Sequence, residues 1–490
     1  MQLHKKILFL GFLFIVFSAS AKSTKKELYN QKKDFAAFKS GLLNLEAKID
    51  RGVSKDSLLN YLNYTESIFS SKELNPLEEF KYYSKCLTHL NSGHTQIQPS
   101  QKLIRWLIYK NAWLPIDFVV VNKRLYANGY SKDYLTENNI PKESQIPAGA
   151  QILEIDNQSF DKWMDKIRFY LSSDDNDQAF RYYLVSQLFD FYRILASEEL
   201  KEEIPIQYAY KKDTVVVLVK TGFPPLENVQ KRLTKAQTKM SLSVKTFGRF
   251  KLSTDRAYFH FPTFMGYFGP RYSMYLEQQF KKIKKKNIQT VVIDLRGNTG
   301  GNVQYELASY FVPNNQLLGS YWTEKMLKKS ERKHIKKLSN EYRSYKRLML
   351  SQRLMRLTKN TDYKTKYASI KDTSLIFKGQ VFVLTDEATF SAASILASQL
   401  KHYCNAKIIG SRAGGTFYTN NAGTVPYKLP KSNFVIFFNP NHFGTMIENE
   451  TVNPDLKAVD LEIIPEYNPR ESIYRKNWEY LVEEALKYFP

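Results

Sequence analysis

Cysteine is nearly absent. Cys86 and Cys404 are the only two in 490 residues, so no disulfide framework holds the fold, and both are expected to be free. Histidine is also sparse, with 7 in the chain, and those beyond the N-terminal segment are scattered. Cys86 and His89 stand at helical spacing, but they read as a packed or solvated pair, so no metal and no cofactor are expected. No long uncharged apolar stretch follows residue 17, which excludes a membrane-spanning helix from the remainder. Internal repeats are lacking too. Acidic residues are outnumbered, 48 Asp and Glu against 72 Lys and Arg, for a formal net charge of +24. Two basic runs, Lys281 to Lys286 and Lys325 to Lys337, carry much of that excess. They lack the interleaved aromatics and glycines of a nucleic-acid module, so they read as solvated helix faces and no nucleic-acid partner is expected.

The chain opens with Lys5 and Lys6, an apolar run from Ile7 to Phe17, and Ala19-Ser20-Ala21. This is the pattern of a cleaved secretory signal, residues 1–21, with the small-x-small site that signal peptidases accept. The run is shorter than the roughly 20 residues a spanning helix needs, and no cysteine follows it to carry a lipid. An exported protein, periplasmic or secreted and without an integral membrane anchor, is the expectation.

Three regions follow. Residues 22–105 have apolar positions at helical spacing (Phe35, Phe38, Leu42, Leu45) and read as an N-terminal helical domain. It ends at Asn91-Ser92-Gly93, which breaks the helix and leaves His94 exposed on a turn. Residues 106–221 read as short strands with one amphipathic helix from Phe160 to Tyr170. Their order resembles a PDZ domain, a module that captures chain ends by strand addition, although no glycine-rich carboxylate-binding loop precedes the second strand. From 222 to 490 apolar strands alternate with helices, which predicts a largely parallel sheet covered by helices. The strands expected there are Ala257–Phe261, Thr290–Arg296, Gln380–Asp386, Lys407–Ser411 and Phe434–Phe438. A basic, tyrosine-rich stretch near 321–376 interrupts them and reads as a helical insertion beside the site.

The segment Val291 to Asn302 runs a buried strand into Gly297, Gly300 and Gly301. In a parallel sheet the useful crevice lies outside the carboxyl ends of the strands, and glycines there let another group approach the backbone. The spacing fits neither phosphate-loop pattern. An oxyanion hole and a purely structural turn both remain open on spacing. Ser391, after the next strand and at the start of a helix, has two readings as well: a nucleophile beside a positive helix end, or an ordinary N-cap.

Taken together, Asp294–Gly301 (DLRGNTGG), Thr389–Lys401 (TFSAASILASQLK), Ile408–Gly415 (IIGSRAGG) and Glu448–Lys457 (ENETVNPDLK) resemble the S41 serine peptidases. This is the tail-specific or C-terminal processing family, with tricorn and retinoid-binding relatives, and the resemblance covers roughly Ala257 to Val459. It implies a crotonase-like (ClpP/crotonase) α/β catalytic domain behind the helical and PDZ-like domains. It also implies Ser391 as nucleophile and an oxyanion hole from the N–H of Ala392 and of Gly300 or Gly301. Tail-specific members use a lysine base, but Thr416 occupies that position here. Lys401 is about 15 Å along the helix from Ser391 and cannot replace it. The tricorn-like branch uses a histidine on a motif resembling the "GHT" of Gly93–Thr95, which implies His94 as general base. Glu448 stands where the family places the acid that orients the histidine, with Glu450 next to it; Thr451 replaces the usual glycine and Ser394 a common glutamate. The implied function is a serine endopeptidase acting on protein or peptide substrates. A non-catalytic peptide- or lipid-binding protein on the same scaffold is the alternative, since fold alone does not give function. A CoA enzyme would suit the fold, but an exported protein has little access to CoA.

Overall fold

The structure, a computed structural model, is described for residues 31–121, 123–138, 141, 145–174, 178–222, 247–265, 270–301, 303–323, 328–330, 332–333, 353, 362–416, 419–444, 458–463 and 478–489. The signal-like segment 1–21 and the positions Glu448, Glu450 and Thr451 lie outside the described residues.

The first region is helical, as its periodicity predicts: α1 (Gln31–Leu45), α2 (Lys55–Ser71), α3 (Pro76–Thr88), the short strand β1 (Gln96–Gln98) and α4 (Gln101–Tyr109). Asn75 starts α3 with a capping box, accepting the N–H groups of Leu77 and Glu78 while Glu78 accepts the N–H of Asn75, and Pro76 occupies the first turn. The stripe Phe35, Phe38, Leu42 and Leu45 is fully buried, with Phe35 against Phe69 and Phe38 against Tyr83.

The second region contains β2 (Ile116–Val121), β3 (Arg124–Tyr130), α5 (Lys132–Glu137), β4 (Gln151–Ile155), β5 (Gln158–Ser159), α6 (Phe160–Ile167), α7 (Gln178–Ala196), β6 (Glu203–Tyr210) and β7 (Asp213–Lys220). Its sheet runs β2-β3-β4-β6-β7, with β5 paired to β4. The expected helix is α6, finished by a single 3-10 turn over Arg168–Tyr170. The sequence reading missed α7. It is anchored along the start of β2, where the buried Asp190 accepts the N–H of Leu114 and pairs with Arg193, and Phe189 packs on Phe118.

The third region contains β8 (Arg249–Leu252), β9 (Arg256–His260), α8 (Pro270–Lys285), β10 (Thr290–Asp294), α9 (Gln304–Ala308), β11 (Leu317–Thr323), β12 (Asp362–Tyr367), β13 (Gln380–Thr385), α10 (Ala392–Cys404), β14 (Lys407–Gly410), β15 (Thr419–Ala422), β16 (Val425–Lys428), β17 (Val435–Phe438), β18 (Asn441–Gly444), β19 (Leu461–Glu462) and α11 (Trp478–Tyr488). Its central sheet has the order β19-β14-β13-β10-β9-β8 and is parallel except for the β8–β9 pair. Alternate residues serve opposite faces. Val291, Ile293, Val381 and Val383 join the core under α8, α9 and α10, while Val292, Phe382 and Leu384 pack on Leu481, Val482 and Ala485 of α11.

One expectation fails here and a second holds only in part. Phe434–Phe438 does not extend the parallel sheet. β17 instead lies antiparallel between β1 and β16, and Phe434, Ile436 and Phe438 enter the core of the helical region. Asp34 of α1 explains the anchorage, because its carboxylate accepts the N–H groups of Lys431 and Ser432 in the preceding turn. The stretch 321–376, expected to be helical, is helical at the described residues 329–330, 332–333 and 353 but has strands near both ends: β11 and β12 pair with each other and build the sheet β12-β11-β18-β15. Alternating Tyr and Thr in DYKTKY suits a strand and outweighs the lysines that suggested a helix. Most of its middle lies outside the described residues.

Candidate active site

The carboxyl ends of β10 and β13 meet at one end of the parallel sheet. Asp294, the last residue of β10, is fully buried. It takes Arg296 in a bidentate pair at 2.9 and 2.7 Å and also the hydroxyl of Tyr258 at 2.7 Å. Burial pushes its carboxyl up, but Arg296 first, with His260 and Tyr258, more than offsets this and holds it below the ordinary aspartate range. The glycine loop is then laced to the turn after β13. Gly297 donates its N–H to both oxygens of Asp386 at 3.0 Å, Thr389 donates to the carbonyl of Leu295 at 3.0 Å, and Phe390 donates its N–H to the carbonyl of Asn298 at 3.0 Å. Asn298 reaches both ways, giving its Nδ2 to the carbonyl of Phe261 and accepting the N–H of Gly300 at 2.9 Å.

Ser391 closes that turn with φ 55° and ψ −124°, a backbone conformation that costs an L-residue about 1–3 kcal/mol. It occupies the N-cap position of α10, yet its side chain makes no cap hydrogen bond. The N-cap reading therefore fails. Its Oγ lies 2.9 Å from Nε2 of His94, 297 residues earlier in the chain. Gly300, at φ 99°, sits so close that a Cβ there would meet Cβ of Ser391 and N of Ala392 at 2.8 and 3.0 Å. Gly415 approaches from another side, where a Cβ would lie 2.8 Å from N of Ser391.

His94 stands on the turn between α3 and β1, but it is not exposed as expected; only 9% of its surface is accessible. The turn is held by groups that the sequence reading did not single out. Gly93 donates its N–H to Asp174 Oδ1 at 2.8 Å, and Ser92 exchanges hydrogen bonds with Ser172. Gln96 donates Nε2 to the carbonyls of Gly93 and Ser172. Thr95 donates to Glu46 Oε1, whose other oxygen accepts the N–H of Asn439. The imidazole lies 4.7 Å from the ring of Phe390, which stacks on Phe180 at 3.8 Å. Burial lowers the pKa of His94, Arg51 lowers it further, and Asp174 opposes both. Its Nδ1 is buried and has no hydrogen-bond partner among the described residues.

The geometry thus unites His94, Ser391, Ala392 and Gly300, with Gly301 next in the loop. Glu448 lies outside the described residues. Thr416 is buried, with its carbonyl accepting from Ser394 Oγ at 2.8 Å. Lys401 turns to Asp460 and the carbonyl of Ala458. Both cysteines are free, and His89 bonds the carbonyl of Lys85 and stacks on Tyr61. Among the described residues no group of three or more His, Cys, Asp or Glu is placed to hold a metal ion, and no helix is long and apolar enough to cross a membrane. Asp386, at the carboxyl end of β13 as Asp294 is at that of β10, could have been suspected from the sheet crevice rule. Asp174 and Glu46 carry no local signal.

Residues 255–458 match the model of peptidase family S41. Over that segment the chain is similar to the S41 family of serine-type peptidases. Solved structures similar in fold include mature CPAF complexed with lactacystin, at 15% identity and TM-score 0.54 over 93% of this chain and 97% of that one. Mature CPAF in a second crystal structure aligns at 14% identity and TM-score 0.53, over 93% and 96%. No curated protein matches the chain. The matched segment contains the glycine loop and Ser391, whereas His94 lies outside it.

Proposed function

We propose that the protein is an exported serine endopeptidase that cleaves proteins or peptides through an acyl-enzyme on Ser391, on a crotonase-like catalytic domain behind helical and PDZ-like domains. The observation that supports this most is the 2.9 Å approach of His94 Nε2 to an Oγ that makes no cap bond. Serine is a weak nucleophile until a base takes its proton. Neutral His94 accepts that proton at Nε2 as Oγ attacks the substrate carbonyl. It returns the proton to the leaving amine as the C–N bond breaks, and water then hydrolyses the ester by the same route in reverse.

Charge developing on the carbonyl oxygen needs fixed donors. The N–H of Ala392, in the first turn of α10, has no intrahelical acceptor and serves as one. Gly300 or Gly301 supplies the second; Gly300 does so by exchanging its bond to Asn298. Glu448 would occupy the buried Nδ1 of His94, fixing the tautomer and stabilising the imidazolium.

Intact-mass spectrometry after fluorophosphonate treatment tests the assignment. Wild type should gain one adduct that Ser391→Ala and His94→Ala both lose. An adduct kept by His94→Ala places the base elsewhere. No adduct on the folded wild type favours a binding protein on the same scaffold.

A further inference from the structure

Asp174 is a fully buried carboxylate in the loop between α6 and α7, and no motif or comparison points to it. Its Oδ1 accepts the N–H of Gly93, the residue before His94, at 2.8 Å. Its Oδ2 is buried with no hydrogen-bond partner among the described residues. The nearest cation is the Arg51 guanidinium, with Nη1 3.8 Å from Oδ1. The approach to Gly93 is tight, since a Cβ on that glycine would lie 3.3 Å from Cγ of Asp174 and 2.9 Å from the ring of Phe390. The carboxylate therefore adjoins the backbone that carries His94, and the ring of Phe390 precedes Ser391.

We infer that Asp174 is a positioning residue for His94, holding its turn through the Gly93 N–H and placing a buried negative charge where the imidazolium forms during acylation. This rests on His94 being the base. Two effects separate in chemistry. The hydrogen bond needs only an acceptor, which an amide oxygen also supplies. The field needs the ionised carboxylate, and in a low-dielectric interior it acts over several ångströms.

The charged groups whose fields bear on His94 are Asp174, which favours its protonated form, and Arg51, which opposes it. Glu46 is engaged by Thr95 and Asn439. Removing the Asp174 charge while keeping the acceptor should weaken His94 as a base. It should also destabilise the imidazolium in the transition state.

The test is the pH dependence of the fluorophosphonate labelling rate for the full chain and for Asp174→Asn, Asp174→Ala and Arg51→Gln. Asp174→Asn should lower the plateau rate by about tenfold or more, a part of the roughly 10²–10⁴-fold that a positioned general base contributes. Its acid limb should move to lower pH. Asp174→Ala should fall further, because Gly93 loses its acceptor, while Arg51→Gln should move the limb to higher pH. A lower plateau in Asp174→Asn with an unmoved limb means a purely structural role and overturns the inference. If Asp174→Asn does not fold, Arg51→Gln decides, and an unmoved limb there also overturns it. Failure of His94 as base would appear separately, as a wild-type adduct that His94→Ala retains.

Discussion

Gly300→Ala is the most direct probe of how the glycine loop braces Ser391. The added Cβ would stand 2.8 Å from the carbonyl oxygen of Phe390, 2.8 Å from Cβ of Ser391 and 3.0 Å from N of Ala392, where ordinary contacts begin at 3.4 Å. Two of the three atoms are backbone, so no flexible side-chain end can swing aside. The turn must open by about half an ångström, an overpacking that costs about 1–3 kcal/mol. The positive φ adds about 1–2 kcal/mol for an L-residue. Misplacement by about 1 Å can cost a hundredfold in rate, so at least about a tenfold slower fluorophosphonate labelling is expected in protein that still folds. Gly222→Ala is the control: nothing lies within 4 Å of its Cβ position, and its unfolding free energy should change by no more than about 0.5 kcal/mol. Urea unfolding gives the stability and timed intact-mass spectrometry gives the rate. If folded Gly300→Ala labels as fast as wild type, the loop does not brace Ser391 and the reasoning is wrong.

Further outcomes follow from the same region. Arg296→Ala deprives the buried carboxylate of Asp294 of its guanidinium partner and leaves it the Tyr258 hydroxyl. It should lower the unfolding free energy by about 3–5 kcal/mol in urea, and a loss below about 1 kcal/mol would show that the pair is not desolvated. Asp386 is pushed up to about 7, by burial first and the Glu387 charge second. The folded state therefore holds this proton where the unfolded chain, titrating near about 4, has released it. Stability from this group is greatest below the unfolded value and declines as pH rises from about 4 to about 7. Thermal unfolding of Asp386→Asn across that range should lack this part of the decline; curves parallel to wild type would show that Asp386 ionises normally.

Much of the site's framework is written locally. Val291–Ile293 and Val381–Leu384 are apolar at every position because both faces of their strands are covered, and a continuous run between turn signals reports that. The glycine cluster announces a backbone that something approaches closely, and the structure supplies the approach: Phe390, Ser391 and Ala392 at Gly300, and Phe264 and Met265 at Gly301. The basic stretch 321–376 is helical at its described interior residues, but near its end the lysines mark only solvation, whereas the alternating Tyr and Thr of DYKTKY mark the strand.

The sequence by itself determined the helical start, the order of parallel strands, the glycine loop and a serine at the head of α10, because periodicities of 3.6 and 2 and the needs of turns act over a few residues. Only the tertiary structure decided that β17 leaves the parallel sheet for the helical core, where Asp34 anchors the turn before it. It also decided whether Ser391 caps its helix or faces His94. That choice depends on a contact across 297 residues, held by Glu46 and by Ser172 and Asp174, which lie on two separate stretches of chain. Such contacts arise from packing and from the need to satisfy buried polar groups, and neither is expressed in the spacing of neighbours along the chain.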